Sequence, residues 1–376
     1  MENNIPFTQI GDLRIQGWQG GMGVGVSQAG LASAVANEGW AGIIASVGLG
    51  ALKGYFTEQI KMNHKRIERT SGEERRAIFD ELYARANKIA LIEEIREARR
   101  RTNGVIGVNI MHALSDYSSL VEGAIEAEAD LIISGAGLPL DLPKYLKSGS
   151  KTKLIPIVSS ARAAQILKTK WAKNYHHAPD AVVVEGPLAG GHLGYSYEQL
   201  ADSEFVENGL EGIVRSVISV MDLTPVIAAG GIWSGQDIRK ARSWGAAGVQ
   251  MATRFVTTYE CDASIEFKQE YLDCDKEDLR IIKSPVGMPG RAITNEFLDR
   301  VENGEMIPTA CSFHCLKTCI PAKSPYCIAY ALTSALKGNF KTGYVFAGAN
   351  AWRNKEDGIT TIKEVIRKLN EEYNRE

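Results

Sequence analysis

The chain has 376 residues, of which 44% are hydrophobic and 23% are charged, so it can bury a large core and is not a disordered protein. Its 43 basic and 45 acidic residues give a net charge of -2, which excludes the basic field that recruits nucleic acid or an anionic membrane. We therefore expect one large fold that binds small molecules, with no nucleic-acid or membrane partner.

Apolar stretches and cysteines indicate where the protein resides. The longest apolar stretch, Trp40 to Leu52, is shorter than the roughly 20 residues that a membrane span needs. The first residues show no basic segment followed by an apolar one, as a secretory signal has. The six cysteines crowd towards the C-terminus instead of spreading as a disulfide framework does. The sequence predicts a cytoplasmic protein with reduced cysteines.

Short apolar runs recur along the chain, each closing on glycine or a polar residue, and most precede a segment of helical period. Several are apolar at consecutive positions, as strands covered on both faces are. There are about eight, the number that closes a parallel (β/α)8 TIM barrel, and a doubly wound open sheet is the alternative fold. The predicted strands are Leu13–Gln16, Ala41–Ala45, Val105–Ile110, Asp130–Ser134, Leu154–Ser159, Ala181–Glu185, Pro225–Ala229 and Gly248–Met251.

Apolar residues that return at three and four positions predict helices between these strands. Ser234 and Asp237 form the pattern of a capping box, with Asp in place of the usual Glu. The predicted helices are Gln28–Asn37, Tyr117–Ala127, Ala161–Lys173, Val206–Met221 and Ser234–Trp244.

Residues 53–101 are dense in charge and in helix formers. They predict an enlarged second βα unit with long, solvated helices, and the alternative is a lid or a partner surface. The rhythm of short strands stops after Tyr259. We expect residues 1–260 to form the barrel, including this insertion, and residues 261–376 to form a cysteine-containing extension packed on it.

Four glycine-rich or polar segments follow predicted strands, where the loops of a barrel assemble its active site. In the first, Gln16 to Ser27, glycines let backbone approach a flat ligand and Met22 offers a soft apolar contact. The third and fourth follow the last two strands, where barrels form a phosphate site from backbone N–H groups. The candidates for a phosphate cradle are Gly230, Gly231, Ala252 and Thr253.

The second segment, Glu185-Gly-Pro-Leu-Ala-Gly-Gly-His-Leu-Gly, places His192 in a loop beside two glycines instead of on a helix face. Imidazole titrates near neutral pH, so it can both take and return a proton. Glu185, at the strand end, can accept hydrogen bonds from ligand hydroxyls. We predict a catalytic role for His192, and the alternative is a structural histidine.

These segments, with Gln19-Gly-Gly-Met, Gly107-Val-Asn-Ile and Ile155-Pro-Ile-Val, resemble the nitronate monooxygenase (2-nitropropane dioxygenase) family of FMN-dependent barrels, which includes the FabK-type enoyl-ACP reductases. The resemblance implies that FMN lies across the top of the barrel and that His192 is the catalytic histidine. The residues that it implies for FMN binding are Gly21, Met22, Asn109, Glu185, Gly190, Gly191, Gly230, Gly231, Gln250, Met251, Ala252 and Thr253.

The resemblance implies an oxidoreductase, for which our first hypothesis is a nitronate monooxygenase. His192 deprotonates a nitroalkane, or a nitronate binds directly, FMN accepts an electron and O2 completes the oxidation. The alternative is a FabK-like reductase, in which NAD(P)H reduces FMN for hydride transfer to an enoyl thioester. The Gly20-Gly21-Met22 turn is the one that enoyl reductases carry, and Ser159 and Ser160 stand where some members have a lysine that reaches the flavin. A homodimer is the expected oligomer.

Four cysteines lie in one C-terminal segment, and Cys311, Cys315 and Cys319 would share one face of a helix. With His314 and Cys327 they offer ligands for zinc or an iron–sulfur cluster, although the spacing is neither paired C-x-x-C nor a ferredoxin run. Packing against the barrel wall without a metal is the simpler interpretation, and a flavin- or metal-binding redox sensor is a third functional hypothesis. Two roles stay open for Arg291: it contacts an anionic ligand, or it pairs with a surface carboxylate.

Overall fold

The computed structural model describes residues 4–307, 311 and 313–375. In this part of the chain the strands are β1 Thr8–Ile10, β2 Leu13–Ile15, β3 Trp18–Gln19, β4 Gly42–Ala45, β5 Ile106–Met111, β6 Leu131–Gly135, β7 Lys153–Val158, β8 Val182–Glu185, β9 Gly191–His192, β10 Val226–Ala229, β11 Gly248–Met251, β12 Leu279–Lys283 and β13 Pro289–Ile293.

Eight of these strands form a parallel ring in the order β3-β11-β10-β8-β7-β6-β5-β4. A bridge between Trp18 and Ala41 joins the first strand of this order to the last, so the ring closes. Strands β4, β6 and β10 are buried at every position, because the barrel interior covers one face and the helices cover the other. The prediction of a (β/α)8 TIM barrel is confirmed, and the open sheet is excluded.

Helices surround this ring. No helix among the described residues is long and apolar enough to cross a membrane. The helices are α1 Ala29–Asn37, α2 Leu49–Leu52, α3 Tyr55–Met62, α4 His64–Glu68, α5 Gly72–Arg101, α6 Tyr117–Glu126, α7 Ala161–Tyr175, α8 Tyr197–Ala201, α9 Ser203–Met221, α10 Gly235–Ser243, α11 Ile265–Asp273, α12 Glu296–Glu302, α13 Ile328–Leu336 and α14 Ile362–Asn374.

The five predicted helices are confirmed as α1, α6, α7, α9 and α10, with ends that differ by no more than a few residues. The predicted capping box is also present, since the side chain of Ser234 accepts a hydrogen bond from the backbone of Asp237 and the carboxylate of Asp237 returns one. Within the charged insertion, α5 runs for 30 residues and buries one face, including Leu82 and Leu91, against the barrel. Its charge therefore covers the solvent side of a barrel helix.

The prediction for the first barrel strand is wrong. Strand β2, within the predicted Leu13–Gln16, pairs antiparallel with β1 through a two-residue turn at Gly11 and Asp12, and the barrel strand is β3. The Leu-Arg-Ile sequence of β2 leaves Arg14 exposed, as a hairpin allows, whereas Trp18 and Gln19 of β3 are fully buried. The hairpin closes the N-terminal end of the barrel with Ile10 and Ile15, which pack on the interior cluster.

The C-terminal part of the chain contacts the barrel in two places. Helix α14 packs between α10 and α1, and Arg254, which follows β11, forms ion pairs with Glu372 of α14 and with Asp357. Strands β12 and β13 form a small sheet with β9, the strand that holds His192. The segment between β11 and α14 thus covers the C-terminal ends of the barrel strands, and the division of the chain at residue 260 stays a prediction.

Candidate active site

A cavity of about 280 Å³ opens where the barrel strands end. Every residue that the sequence assigned to FMN or to catalysis lines this cavity. The opposite wall comes from the C-terminal segment, including Ile328 and Leu332 of α13 and the aromatic rings of Tyr344 and Phe346. The structure therefore brings the predicted residues to one place and adds an apolar wall that the sequence did not predict.

The loops after β10 and β11 have the features of an anion site. Gly230 and Gly231 have φ values of +87° and +88°, and a Cβ atom on Gly230 would lie 2.8 Å from the carbonyl oxygen of Gly186. Within the described residues their amide groups donate no hydrogen bond, so these N–H groups are available to a ligand. Thr253 begins a short 3-10 helix, and its Oγ1 accepts a hydrogen bond of 3.1 Å from the amide of Gly348. Backbone amides without a protein acceptor, such as those of Gly230 and Gly231, suit a phosphate.

Two buried polar atoms in the cavity wall lack a partner among the described residues, Oε1 of Gln250 and Oγ of Ser46. Buried polar atoms are almost always hydrogen-bonded, so both indicate a polar ligand. A Cβ atom on Gly21 would lie 2.4 Å from Cβ of Asn109, which means that only glycine lets the backbone pass there. A flat group with polar edges and a phosphate, such as FMN, fits these walls.

His192 is fixed by contacts with the C-terminal segment. Its Nε2 atom lies 2.7 Å from Oγ of Ser284, and its ring packs edge-on against Phe346 with centroids 4.9 Å apart. Strand β9 pairs with β13, which places His192 opposite Gly290. Burial lowers the pKa of His192 to about 4, so the imidazole is neutral at neutral pH and can accept a proton.

Glu185 lies at the end of β8 in the same wall. Burial raises the pKa of its carboxyl to about 8, because the ionised form loses the water that would stabilise its charge. At neutral pH this carboxyl is therefore protonated, and it can donate one hydrogen bond as well as accept others. It suits a ligand hydroxyl or a heterocyclic nitrogen.

Arg291 takes neither of the two roles left open for it. Its guanidinium is buried and donates to the carbonyl oxygens of Pro187 at 2.8 Å and Ala189 at 3.2 Å. It therefore holds the loop that runs from Glu185 to His192. Burial lowers the pKa of Arg291, and the two carbonyls compensate for part of the loss of water.

Residues from the C-terminal segment complete the site. Ser284 contacts His192, Phe346 packs on its ring, and Asn350 donates through Nδ2 to the carbonyl oxygen of Gly231 at 2.8 Å. Sequence reasoning gave none of these residues a role. A signal for Ser284 existed only in the motif Ser284-Pro-Val-Gly-Met-Pro-Gly-Arg, which contains two glycines and two prolines around a turn.

The described residues from Cys311 to Cys319 contain no helix, so Cys311, Cys315 and Cys319 do not share a helix face. Among the described residues, Cys261, Cys274, Cys311, Cys315 and Cys319 form no disulfide. Cys315 lines the cavity, and the helix that follows Cys327, α13, contributes to the same wall. Where the structure is described, no three His, Cys, Asp or Glu side chains are arranged to hold a single metal ion.

The sequence matches the family described as nitronate monooxygenase over residues 12–372. A (3aS,4S,5R,7aS)-5-hydroxy-7a-methyl-1-oxo-octahydro-1H-indene-4-carboxyl-CoA dehydrogenase of Mycobacterium tuberculosis is 27% identical over 304 residues, 81% of this chain and 70% of that protein. A protein of Rhodococcus jostii with the same name is 28% identical over 209 residues, which is 56% of this chain. The chain spans only 53% of the length of that relative.

A protein of Staphylococcus haemolyticus named "Probable nitronate monooxygenase" is 26% identical over 313 residues, which is 80% of this chain and 81% of that protein. Among solved structures, FabK from Thermotoga maritima superposes with a TM-score of 0.69 and 24% identity, covering 95% of this chain and 91% of that one. At this identity the superposition shows a common fold.

Proposed function

Because the chain belongs to the nitronate monooxygenase family, we propose that it is an FMN-dependent oxidoreductase that oxidises nitronates, or nitroalkanes that it deprotonates, with O2. The observation that carries this proposal is the position of the His192 imidazole in the wall of a cavity that Gly230 and Gly231 also line. A cytoplasmic location and a homodimer belong to the same proposal.

FMN would be held at three places. The amides around Gly230, Gly231 and Thr253 suit its phosphate, Glu185 suits its ribityl hydroxyls, and Gln250 suits a polar edge of its ring. When bound, FMN supplies the electron transfer of this reaction. The protein positions both reactants and excludes water through the wall formed by α13 and Phe346.

His192 removes the proton in this proposal. A nitroalkane carries its acidic proton on the carbon next to the nitro group, and the conjugate base is the nitronate. The neutral imidazole accepts that proton, and the contact with Ser284 fixes the orientation of the ring. The carboxyl of Glu185 is protonated at neutral pH and suits hydrogen bonding to a ligand, so the two titratable groups have separate tasks.

The apolar wall favours a second candidate function, reduction of an enoyl thioester with NAD(P)H. Leu114, Leu316, Ile328 and Leu332 line the cavity beside the polar residues and offer room for an acyl chain. Two relatives carry names of enzymes that act on a CoA derivative. In this reaction His192 would protonate the product or orient the thioester carbonyl.

An anaerobic absorbance titration of the purified protein, reconstituted with FMN, separates the two functions. Bleaching of the flavin by propyl nitronate, but by neither NADH nor NADPH, supports the monooxygenase. Rapid bleaching by a nicotinamide, reversed by a crotonyl thioester, supports the reductase. A protein that binds no FMN contradicts both.

A further inference from the structure

The cavity has a polar end and an apolar end on opposite sides of the barrel. Around the ring, β8, β7 and β6 separate β10 from β5 on one side, and β11, β3 and β4 separate them on the other. The loops after β10 and β5 therefore face each other across the opening. Gly230 and Gly231 follow β10, whereas Leu114 follows β5 and pairs in an antiparallel bridge with Leu316. Both leucines line the cavity and form part of its apolar end.

Helix α13 supplies the rest of the apolar end. Ile328 and Leu332 lie one helical turn apart, so they share a face of the helix, and both line the cavity. The neighbouring segment is fixed to the barrel, because the amide of Ser115 donates to the carbonyl oxygen of Cys315 at 3.1 Å. The apolar end is therefore a constant part of the folded chain.

This end of the cavity lacks a counter-ion for a charged ligand. Among the residues that the structure describes, no lysine, arginine or aspartate lines the cavity. Lys317, the residue after Leu316, donates through Nζ to the carbonyl oxygen of His112 at 2.7 Å. Arg254, which follows the anion site, forms an ion pair with Glu372. Cations close to the cavity thus have protein partners of their own.

The titratable side chains in the described wall of the cavity are Glu185, His192, Tyr271, Cys315 and Tyr344. Burial raises the pKa of Cys315 to about 12 and that of Glu185 to about 8, and it lowers that of His192 to about 4. Burial also raises the pKa of both tyrosines above an already alkaline value. At neutral pH this part of the wall therefore carries no formal charge.

We propose that the substrate is an uncharged nitroalkane with a hydrocarbon chain, and that the cavity rejects nitro compounds with a carboxylate or an ammonium group at the far end of that chain. The inference rests on the proposed function, because it takes FMN at the polar end. Methylene groups between Leu114, Leu316 and α13 leave water, which favours binding. A charge in the same place would lose its water and gain no partner. The nitronate formed in the reaction is also an anion, but the proton taken by His192 balances its charge.

Oxygen consumption by the full chain, loaded with FMN, provides the first test. The substrates are nitroethane, nitrobutane, nitrohexane and nitropropionate, which carries its nitro group and its carboxylate at opposite ends. We expect kcat/KM to rise about threefold with each added methylene. Nitropropionate should fall at least about 100-fold below nitrobutane, which is similar in length. Equal values for this pair, or no gain with chain length, would overturn the proposal.

Two leucine variants test whether the apolar end is responsible. Leu332→Lys places an ammonium group in the cavity wall, so kcat/KM for nitropropionate relative to nitrobutane should rise at least about tenfold. Leu223→Lys is the matched control, because Leu223 is 98% exposed and does not line the cavity, and the ratio should stay unchanged. Circular dichroism and flavin absorbance show whether each variant folds and holds FMN. Equal ratios in the two folded variants would contradict the proposal.

Isothermal titration calorimetry with the unaltered, FMN-loaded chain needs no turnover and no variant. Hexanamide should bind at least about tenfold more tightly than the monoamide of adipic acid, which has a carboxylate in place of the terminal methyl group of the same chain. If no nitroalkane is oxidised but this difference holds, the proposed reaction is wrong and the cavity still selects uncharged chains. Equal affinities would overturn the inference even if nitroalkanes are oxidised.

Discussion

The Nε2 atom of His192 lies 2.7 Å from the Oγ atom of Ser284, although 92 residues separate them in the sequence. The pairing of β9 with β13 brings the two residues together. Ser284 belongs to the segment that covers the barrel. The proposed base is therefore hydrogen-bonded directly to the cover of the cavity. A change in the cover is therefore expected to alter the position of the base.

His192→Ala is expected to lower kcat/KM for a neutral nitroalkane about 100-fold or more, because the proton acceptor is lost. Oxidation of a preformed nitronate should change far less, since no proton has to be removed. Steady-state oxygen consumption with the two substrates measures this difference, and the flavin absorbance checks that FMN remains bound. Nitroalkane turnover equal to that of the unaltered chain would refute the role of His192.

Ser284→Ala removes the hydroxyl that orients His192 and is expected to lower kcat about fivefold, with little change in KM, as the loss of about 1 kcal/mol of hydrogen bonding does. Ser284→Thr keeps a hydroxyl and should restore most of the activity. The comparison of kcat and KM in the two variants distinguishes positioning from binding. Equal kcat values in both variants would show that the hydroxyl has no such role.

Arg291→Met leaves the carbonyl oxygens of Pro187 and Ala189 without their donor. The free energy of unfolding should fall by about 3 kcal/mol, the cost of losing buried hydrogen bonds from a charged group, and FMN should bind more weakly. Arg280→Met is the control, because Arg280 lies on the neighbouring strand β12 and its ion pairs within the described chain are with the exposed residues Asp299 and Glu302. It should cost about 1 kcal/mol or less. Urea unfolding compares the two, and equal losses would contradict the role of Arg291.

Gly230→Ala is expected to destabilise the protein by about 2 kcal/mol and to weaken FMN binding, because alanine disfavours a φ of +87° and its Cβ meets the backbone of Gly186. Gly212→Ala is the matched control in helix α9, where a Cβ meets no atom within 4 Å. It should stabilise the chain by about 0.5 to 1 kcal/mol. Thermal unfolding with and without FMN tests both effects. Unchanged FMN affinity in Gly230→Ala would contradict the anion site.

Glu185 predicts a pH dependence of stability in the protein without cofactor. Burial raises its pKa to about 8 in the folded chain, so the folded state holds a proton that the unfolded state releases above the ordinary pKa of 4.5. Stability is full below that pKa and falls as pH rises towards 8. Glu185→Gln removes this term, and the unaltered chain should lose about 1 kcal/mol or more relative to the variant between acidic and slightly alkaline pH.

Denaturant unfolding of both chains across this pH range measures the difference. His192 acts in the opposite sense, because its lowered pKa removes stability as pH falls from 6.5 towards 4, but it is present in both chains and cancels in the comparison. Parallel stability curves for the two chains would mean that Glu185 is ionised in the folded state.

Seven barrel strands could be predicted from the sequence because a strand buried on both faces is a continuous apolar run, as Val182 to Val184 shows. The two-residue strand at Trp18 was missed because it is too short to show a hydrophobic pattern. The hairpin strand that begins at Leu13 was taken for the barrel strand because its apolar residues resemble those of one. The glycine loops were predictable because each is a continuous stretch of sequence that directly follows a predicted strand. Ser284 and Phe346 were not, since only the folded chain brings them to His192.

The position of α14 has a consequence for biosynthesis. This helix fills the gap between α10 and α1, and its Glu372 accepts a hydrogen bond from the amide of Gly235 at the start of α10. All eight strands leave the ribosome long before this helix does, so the growing chain holds an unfilled apolar seam, including Ile238, until α14 has been made. Chains that end before Ile362 would retain every barrel strand and yet be substrates for chaperones and proteases.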